Sequence, residues 1–205
     1  MTYPLMVKLK GKLVVVVGGG AVATRKIKRL IQEAADVTVV SPYLSESLQI
    51  LIHDHNHRLT WVQDRFKALY IKDAFLVIAA TDDRDVNRSV FEAVNQYQLV
   101  NIVDQPELSN FYVPSMLKRG ELTISVSTGG ASPMLAKHIC QDLEKTYDER
   151  YEEYLEFLLK SRKDIIEHVP ERTKRKQMFQ ELASKRFLEA ADRQRELEKL
   201  MKKLN

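Results

Sequence analysis

The chain has 205 residues, 44% hydrophobic and 29% charged, with a formal net charge of +4. That balance suits a soluble globular protein with one full domain and an appendage, and gives no ground for nucleic-acid or membrane binding. A lone cysteine, Cys140, excludes an internal disulfide, and no signal-peptide core or membrane-length apolar run is present, so a cytoplasmic protein is expected.

The first predicted element is a strand over Leu13–Val17, five apolar residues suited to burial on both faces of a parallel sheet. Three glycines follow, and Gly18, Gly20 and Ala23 stand at G-x-G-x-x-A spacing before a helix over Ala21–Ala34. Between a strand and a helix that fingerprint predicts a dinucleotide site. Gly18 permits the tight turn, Gly20 lets a pyrophosphate approach the backbone, Ala23 keeps helix and strand close, and free helix amides face the anion. The competing reading is a glycine-rich turn that binds nothing.

Further strands are predicted at Val37–Val40, Leu59–Gln63, Phe75–Ala80 and Leu99–Val103, with helices at Leu44–His53 and Asp85–Tyr97. Such alternation implies right-handed crossovers and an α/β fold with a Rossmann-like parallel sheet, whose ligands sit at the carboxyl ends of the strands. That rule sets Gly18–Val22, Ser41–Tyr43, Thr81 and Asp104 along one rim.

After Asp104 the pattern changes to a small α+β region. Gln105–Asn110 reads as a polar loop, Phe111–Val113 as a short extended piece and Glu121–Ser127 as a half-buried strand. Thr128–Ala131 makes a turn, and Ser132-Pro133 starts a helix running to about Tyr147. Beyond it, apolar residues at helical spacing (Tyr151, Tyr154, Leu155, Leu158, then Phe179, Leu182, Phe187, Leu197) predict a helical appendage of two or three helices broken near Pro170. From Gln141 onward 16 Lys and Arg face 15 acids, which reads as a solvated surface; the run Arg172–Lys176 can contact phosphate, but a solvated helical surface is expected there too. The expected domains are 1–112, 113–147 and 148–205.

Four groups of residues are candidates for chemistry. Dinucleotide folds usually carry an acid on the adenosine ribose about 20 residues past the glycines. Here Ser41-Pro42-Tyr43 occupies that place, so Ser41 can donate a hydrogen bond but no carboxylate excludes a 2′-phosphate; NAD is expected, NADP the alternative. Asp104 can act as general base or orient a cationic nitrogen, or it can simply cap a loop. Ser127, Thr128, Gly129 and Gly130 can bind a carboxylate before the helix, or form an ordinary capped turn. His53, His55 and His57 would converge on a metal only in an extended segment; a polar loop is expected, and no metal site. Cys140 is expected to be packed, and His138 faces either a cleft or solvent. No tyrosine is followed four residues later by lysine, which sets aside the short-chain dehydrogenases.

Taken together these stretches resemble the precorrin-2 dehydrogenase family, also found as the N-terminal module of siroheme synthases. The matching pieces are GGGAVATRK (Gly18–Lys26), VTVVSP (Val37–Pro42), AATDDRDVN (Ala79–Asn87), NIVDQP (Asn101–Pro106), VPSMLKRGEL (Val113–Leu122) and STGGASPMLAK (Ser127–Lys137). The likeness runs from about Leu5 to Leu143; beyond Asp148 only length and helical character agree.

The resemblance implies NAD-dependent oxidation of precorrin-2 to sirohydrochlorin, on the route to siroheme. It implies a homodimer, with the 113–147 region forming much of the contact and part of the substrate site. The family's motif aspartate falls on Asp104, and its cofactor contacts on Ala21, Val22, Pro42 and Tyr43. The substrate's many carboxylates call for cations, for which Arg119, Lys118 and Lys137 are candidates. Relatives often have serine where this chain has Thr128, which retains the hydroxyl. No methyltransferase module follows, so precorrin-2 is expected from a separate enzyme. Some relatives also insert Fe²⁺; the dehydrogenase alone is expected here, with a bifunctional dehydrogenase and ferrochelatase as the alternative. A reading from another class, an NAD(H)-sensing regulator without catalysis, would need a partner-binding element that the charge-balanced tail does not offer.

Overall fold

The computed structural model describes residues 2–204, with only the backbone of Leu204; Met1 and Asn205 lie outside the described residues. The valine run forms β1 (Leu13–Val17), and Val14 to Val17 are each no more than 2% exposed. With β2 (Asp36–Val40), β3 (Leu59–Val62), β4 (Leu76–Ala79) and β5 (Leu99–Ile102) it builds one parallel sheet in the order β3-β2-β1-β4-β5. This is the Rossmann-like sheet the alternation predicts. The chain reverses direction across the sheet between β1 and β4, where Val17 stands beside Ala79.

The reason for an unbroken valine run is visible in the packing. Val14 and Val16 join one core with Val37, Val39, Leu76 and Ile78 beneath α1 (Ala21–Gln32) and α2 (Glu46–Asp54). Val15 and Val17 join a second with Val77, Ala79, Val100 and Ile102 beneath α3 (Arg84–Ala93). A strand covered on both faces has no polar side to alternate.

Local details depart from expectation. The third helix ends at Ala93, short of Tyr97, because Asn95–Gln98 folds into a turn: Asn95 N–H donates to Gln98 Oε1 at 2.9 Å. Gln98 is buried, its Nε2 donating to the carbonyls of Ile71 and Ala74. His53 lies in the last turn of α2 with His55 at its C-cap, so the histidine segment is not extended. Among the described residues no group of three His, Cys, Asp or Glu gathers to hold a metal.

Contacts divide the chain into two compact units, through Val113 and from Pro114. The second begins with a strand not anticipated, β6 (Ser115–Arg119), which pairs antiparallel with β7 (Leu122–Val126). The turn between them passes through Gly120 at φ +53°, while Phe111–Val113 forms no strand. Against this ribbon packs α4 (Pro133–Thr146), whose N-cap Ser132 accepts from Leu135 N–H at 3.1 Å.

Four helices follow rather than two or three: α5 (Arg150–His168), α6 (Arg172–Leu182), α7 (Lys185–Glu189) and α8 (Arg193–Leu204). Their core includes Tyr154, Ile165, Met178, Leu182, Phe187 and Leu197. Tyr154 donates its hydroxyl to the Leu182 carbonyl, and Arg193 donates to the carbonyls of Phe187 and Leu188. These side chains satisfy helix-end carbonyls where no glycine or proline marks the break. No described helix is long and apolar enough to cross a membrane.

Candidate cofactor and active site

The three glycines do different work. Gly18 sits at φ +119°, and a Cβ there would lie 2.4 Å from the Ala80 carbonyl oxygen at the end of β4. A Cβ on Gly19 would lie 2.0 Å from the Tyr43 carbonyl oxygen and 2.8 Å from Ser41 Oγ. Both positions exclude any larger residue, although the fingerprint treats the middle one as free. Gly20 is the opposite case: it is the N-cap of α1, with nothing within 4 Å of an added Cβ. No side chain caps α1 and no acid stands in its first turn. Open space in front of an uncapped helix start, next to Ala21 and Val22, is what a pyrophosphate requires. The residues present therefore fit a dinucleotide.

After β2 the hydroxyl of buried Ser41 donates to the Tyr43 carbonyl at 2.7 Å, and Ser41's own carbonyl accepts from Trp61 Nε1 at 2.9 Å. Ser41 thus shapes the turn, which leaves Pro42 and Tyr43 exposed, Tyr43 by 82%.

On the other side of the reversal point, Asp104 follows β5 and Thr81 follows β4. Between them stands Asn87 of α3, fully buried. Its Oδ1 accepts from Thr81 N–H at 3.2 Å and lies 2.8 Å from Thr81 Oγ1. Its Nδ2 donates to the Thr81 carbonyl at 3.0 Å and to Asp104 Oδ1 at 2.8 Å. Asp104's other oxygen faces Arg84 Nε at 3.7 Å, a loose pair with an 81% exposed arginine that contributes little. One carboxylate oxygen is therefore committed to the fold and the other is accessible. Sequence reasoning missed Asn87; the signal was its i, i+3 relation to core residue Val90 on the buried side of α3.

Nearby in the same unit, Lys26 of α1 donates Nζ to Asn101 Oδ1 at 3.0 Å. Burial holds its pKa below the usual lysine value, and Arg25 and Arg29 add to the effect.

The remaining candidates belong to the second unit. Thr128 Oγ1 accepts from Ser132 N–H at 3.1 Å and lies 3.0 Å from its carbonyl, so this hydroxyl closes the turn before α4. Gly129 N–H meets Ser127 Oγ at 3.3 Å, and Gly129 takes φ +61°. Ser127, Gly129 and Lys137 are exposed. Arg119, at the end of β6, lines a cleft of about 1000 Å³ with His138, Asp142, Lys145 and Asp148, which does not include Lys137. The Arg119 Nε is buried without a hydrogen-bond partner among the described residues.

A glycine turn with room for a pyrophosphate, at a sheet reversal and ahead of an uncapped helix, marks a dinucleotide-binding protein of the Rossmann class. Comparison with known proteins narrows this. The family described as "Putative NAD(P)-binding" matches residues 5–115, and "Sirohaem biosynthesis protein central" matches residues 119–146. Precorrin-2 dehydrogenase of Bacillus subtilis (strain 168) is 39% identical over 145 residues, 71% of this chain and 88% of that protein. The enzyme of the same name from Priestia megaterium is 34% identical over 194 residues, 95% of each chain. A siroheme synthase from Tolumonas auensis is 41% identical over 142 residues, but these make up only 30% of that longer protein. Among solved structures, SirC, a precorrin-2 dehydrogenase, superposes with a TM-score of 0.84 at 33% identity, covering 98% of this chain and all of its own. The chain belongs to the precorrin-2 dehydrogenase family.

Proposed function

We propose that Asp104 serves the reacting edge of the substrate while the turn from Gly18 to Val22 holds the dinucleotide. The reaction is the NAD-dependent dehydrogenation of precorrin-2 to sirohydrochlorin in siroheme synthesis. NAD supplies the hydride acceptor when bound. The chain's own residues do the rest. The amides of Ala21 and Val22 bind the pyrophosphate, Gly20 lets it approach, and Ser41, Pro42, Tyr43 and Thr81 border the cofactor. Asp104 orients the macrocycle or takes the proton released as hydride departs, through the oxygen that Asn87 leaves unengaged. That oxygen, on a carboxylate anchored by a fully buried amide, is the observation that carries the reading.

Ser127, Gly129, Arg119 and Lys137 are proposed to meet the substrate's carboxylates, with Thr128 holding the turn that carries Ser127 and Gly129. A homodimer is proposed as well. Its support is the apolar surface of the second unit, where Met134 (61%), Leu135 (51%) and Met116 (39%) are exposed beside a ribbon of only two strands. A cytoplasmic location is proposed from the lone free thiol of Cys140, which is buried.

The test is an anaerobic assay with precorrin-2 and NAD⁺, read by NADH absorbance. Asp104→Ala should lower turnover by about 10²- to 10⁴-fold, the span of a lost acid–base group. Normal turnover in the variant would make Asp104 structural, and NADH from neither protein, with NADP⁺ also tried, would refute the reaction.

A further inference from the structure

Helices α5 and α6 border a cleft of about 850 Å³ lined by Arg162, Arg172, Arg175 and Lys176, with Ile166 and Phe179 among them and no carboxylate. Several other cations of this unit do have acidic partners: Arg150 with Asp148, Lys174 with Glu171, Lys185 with Glu189, and Arg186 and Lys199 with Glu196. None of the four cleft cations has an acidic partner among the described residues. Such a cluster repels itself until an anion enters. Arg162 lies with its guanidinium 4.8 Å from the Phe179 ring centroid, which combines a cation with a flat apolar surface in one place.

We infer that this cleft binds a polycarboxylate with a flat apolar body, a tetrapyrrole of the class the proposed reaction handles. The macrocycle, though not the anion site, rests on that proposed reaction. Guanidinium forks match carboxylates in pairs, and Phe179 with Ile166 offers the ring an apolar face. The volume falls within the usual range for small-ligand sites. The cleft would hold an anionic tetrapyrrole on the chain in addition to the molecule at Asp104.

The experiment is amide hydrogen exchange on the full chain with uroporphyrin, an octacarboxylate tetrapyrrole, as probe, alongside fluorescence titration. Protection is expected over the end of α5 and the start of α6. The double variant R172S/R175S should lose that protection and weaken cleft binding at least about tenfold, while forming NADH at the wild-type rate. R162M provides an independent single change, and 0.5 M salt should weaken binding in the parent protein. No protection of α6, or equal protection in the variants, would overturn the inference. Equal protection by inorganic pyrophosphate would overturn the macrocycle assignment in favour of a phosphate. Protection of α6 in a protein that makes no NADH would leave the anion site standing and remove the proposed reaction.

Discussion

Asn87 donates from Nδ2 to Oδ1 of Asp104 at 2.8 Å, and every other polar valence of that buried amide is spent on Thr81. The strand ends of β4 and β5 are thereby joined through one side chain of α3. We regard Asn87 as a positioning residue, acting on the reaction through Asp104.

Asn87→Asp tests this. The shape is kept, but the donors to Thr81 and Asp104 are lost and a second carboxylate stands beside Asp104. Turnover should fall about 10- to 100-fold, the scale of a small misplacement of a reacting group, while the dissociation constant for NAD changes little. Stability should fall by about 1–3 kcal/mol for the buried groups left unsatisfied. Adding Asp104→Asn to this variant should restore part of the melting temperature and none of the turnover. Parallel recovery of both would show that Asn87 only supports the fold.

The glycines should separate cleanly. Gly19→Ala forces a methyl to within 2.0 Å of a backbone oxygen, and should cost about 1–3 kcal/mol or more. Gly20→Ala meets open space, so the melting temperature should barely move, while the affinity for NAD drops about tenfold because the methyl occupies the approach of the phosphate. Thermal melts with calorimetric titration of NAD check both halves.

Acid stability should report the last helix. Hydrogen bonds from Lys199 and then Arg186 hold Glu196 down to about 2 from its usual 4.5. A carboxylate with a depressed folded pKa stabilises the fold above its unfolded value and loses that contribution as pH falls through the folded one. The melting-temperature advantage of the parent over Glu196→Gln should therefore be constant above about pH 5 and vanish toward pH 2. A gap unchanged across that window would contradict the pairing.

Lys26 runs the other way. Its folded pKa lies below the unfolded 10.5, mainly through burial, so its charge opposes the fold while both states are protonated. That penalty is relieved as pH rises through the folded pKa toward the unfolded value. Urea unfolding of the parent and of Lys26→Met should show the difference moving in the parent's favour across the alkaline range.

The first unit was legible because strands buried on both faces write themselves as apolar runs; Leu13–Val17 and Phe75–Ala80 needed no pairing information. Strand β6 was illegible for the opposite reason. Of Ser115–Arg119 only Leu117 is buried, and the segment becomes a strand through its register with β7, where Leu117 faces Ile124. The breaks before α7 and α8 fall at Ala183–Ser184 and Ala190–Asp192, where tertiary hydrogen bonds from Tyr154 and Arg193 replace the glycine or proline that would announce them. At the candidate site, the outer glycines were visible from spacing and Asp104 from its place at the end of a predicted strand. Asn87 and Gly19 were not, since their roles come from what a distant loop brings against them.

The close approach of Gly19 to the Tyr43 carbonyl, together with the hydrogen bond from Ser45 N–H to the Gly19 carbonyl at 2.8 Å, joins the loops after β1 and β2 into one piece. Coenzyme engineering is constrained accordingly. Lengthening or re-routing the Ser41–Ser45 segment would disturb the glycine turn along with it, whereas exchanging the outward side chains of Pro42 and Tyr43 leaves that seam intact. A switch in preference between the two nicotinamide coenzymes should therefore be sought by decorating this loop with new groups, with its path left as it is.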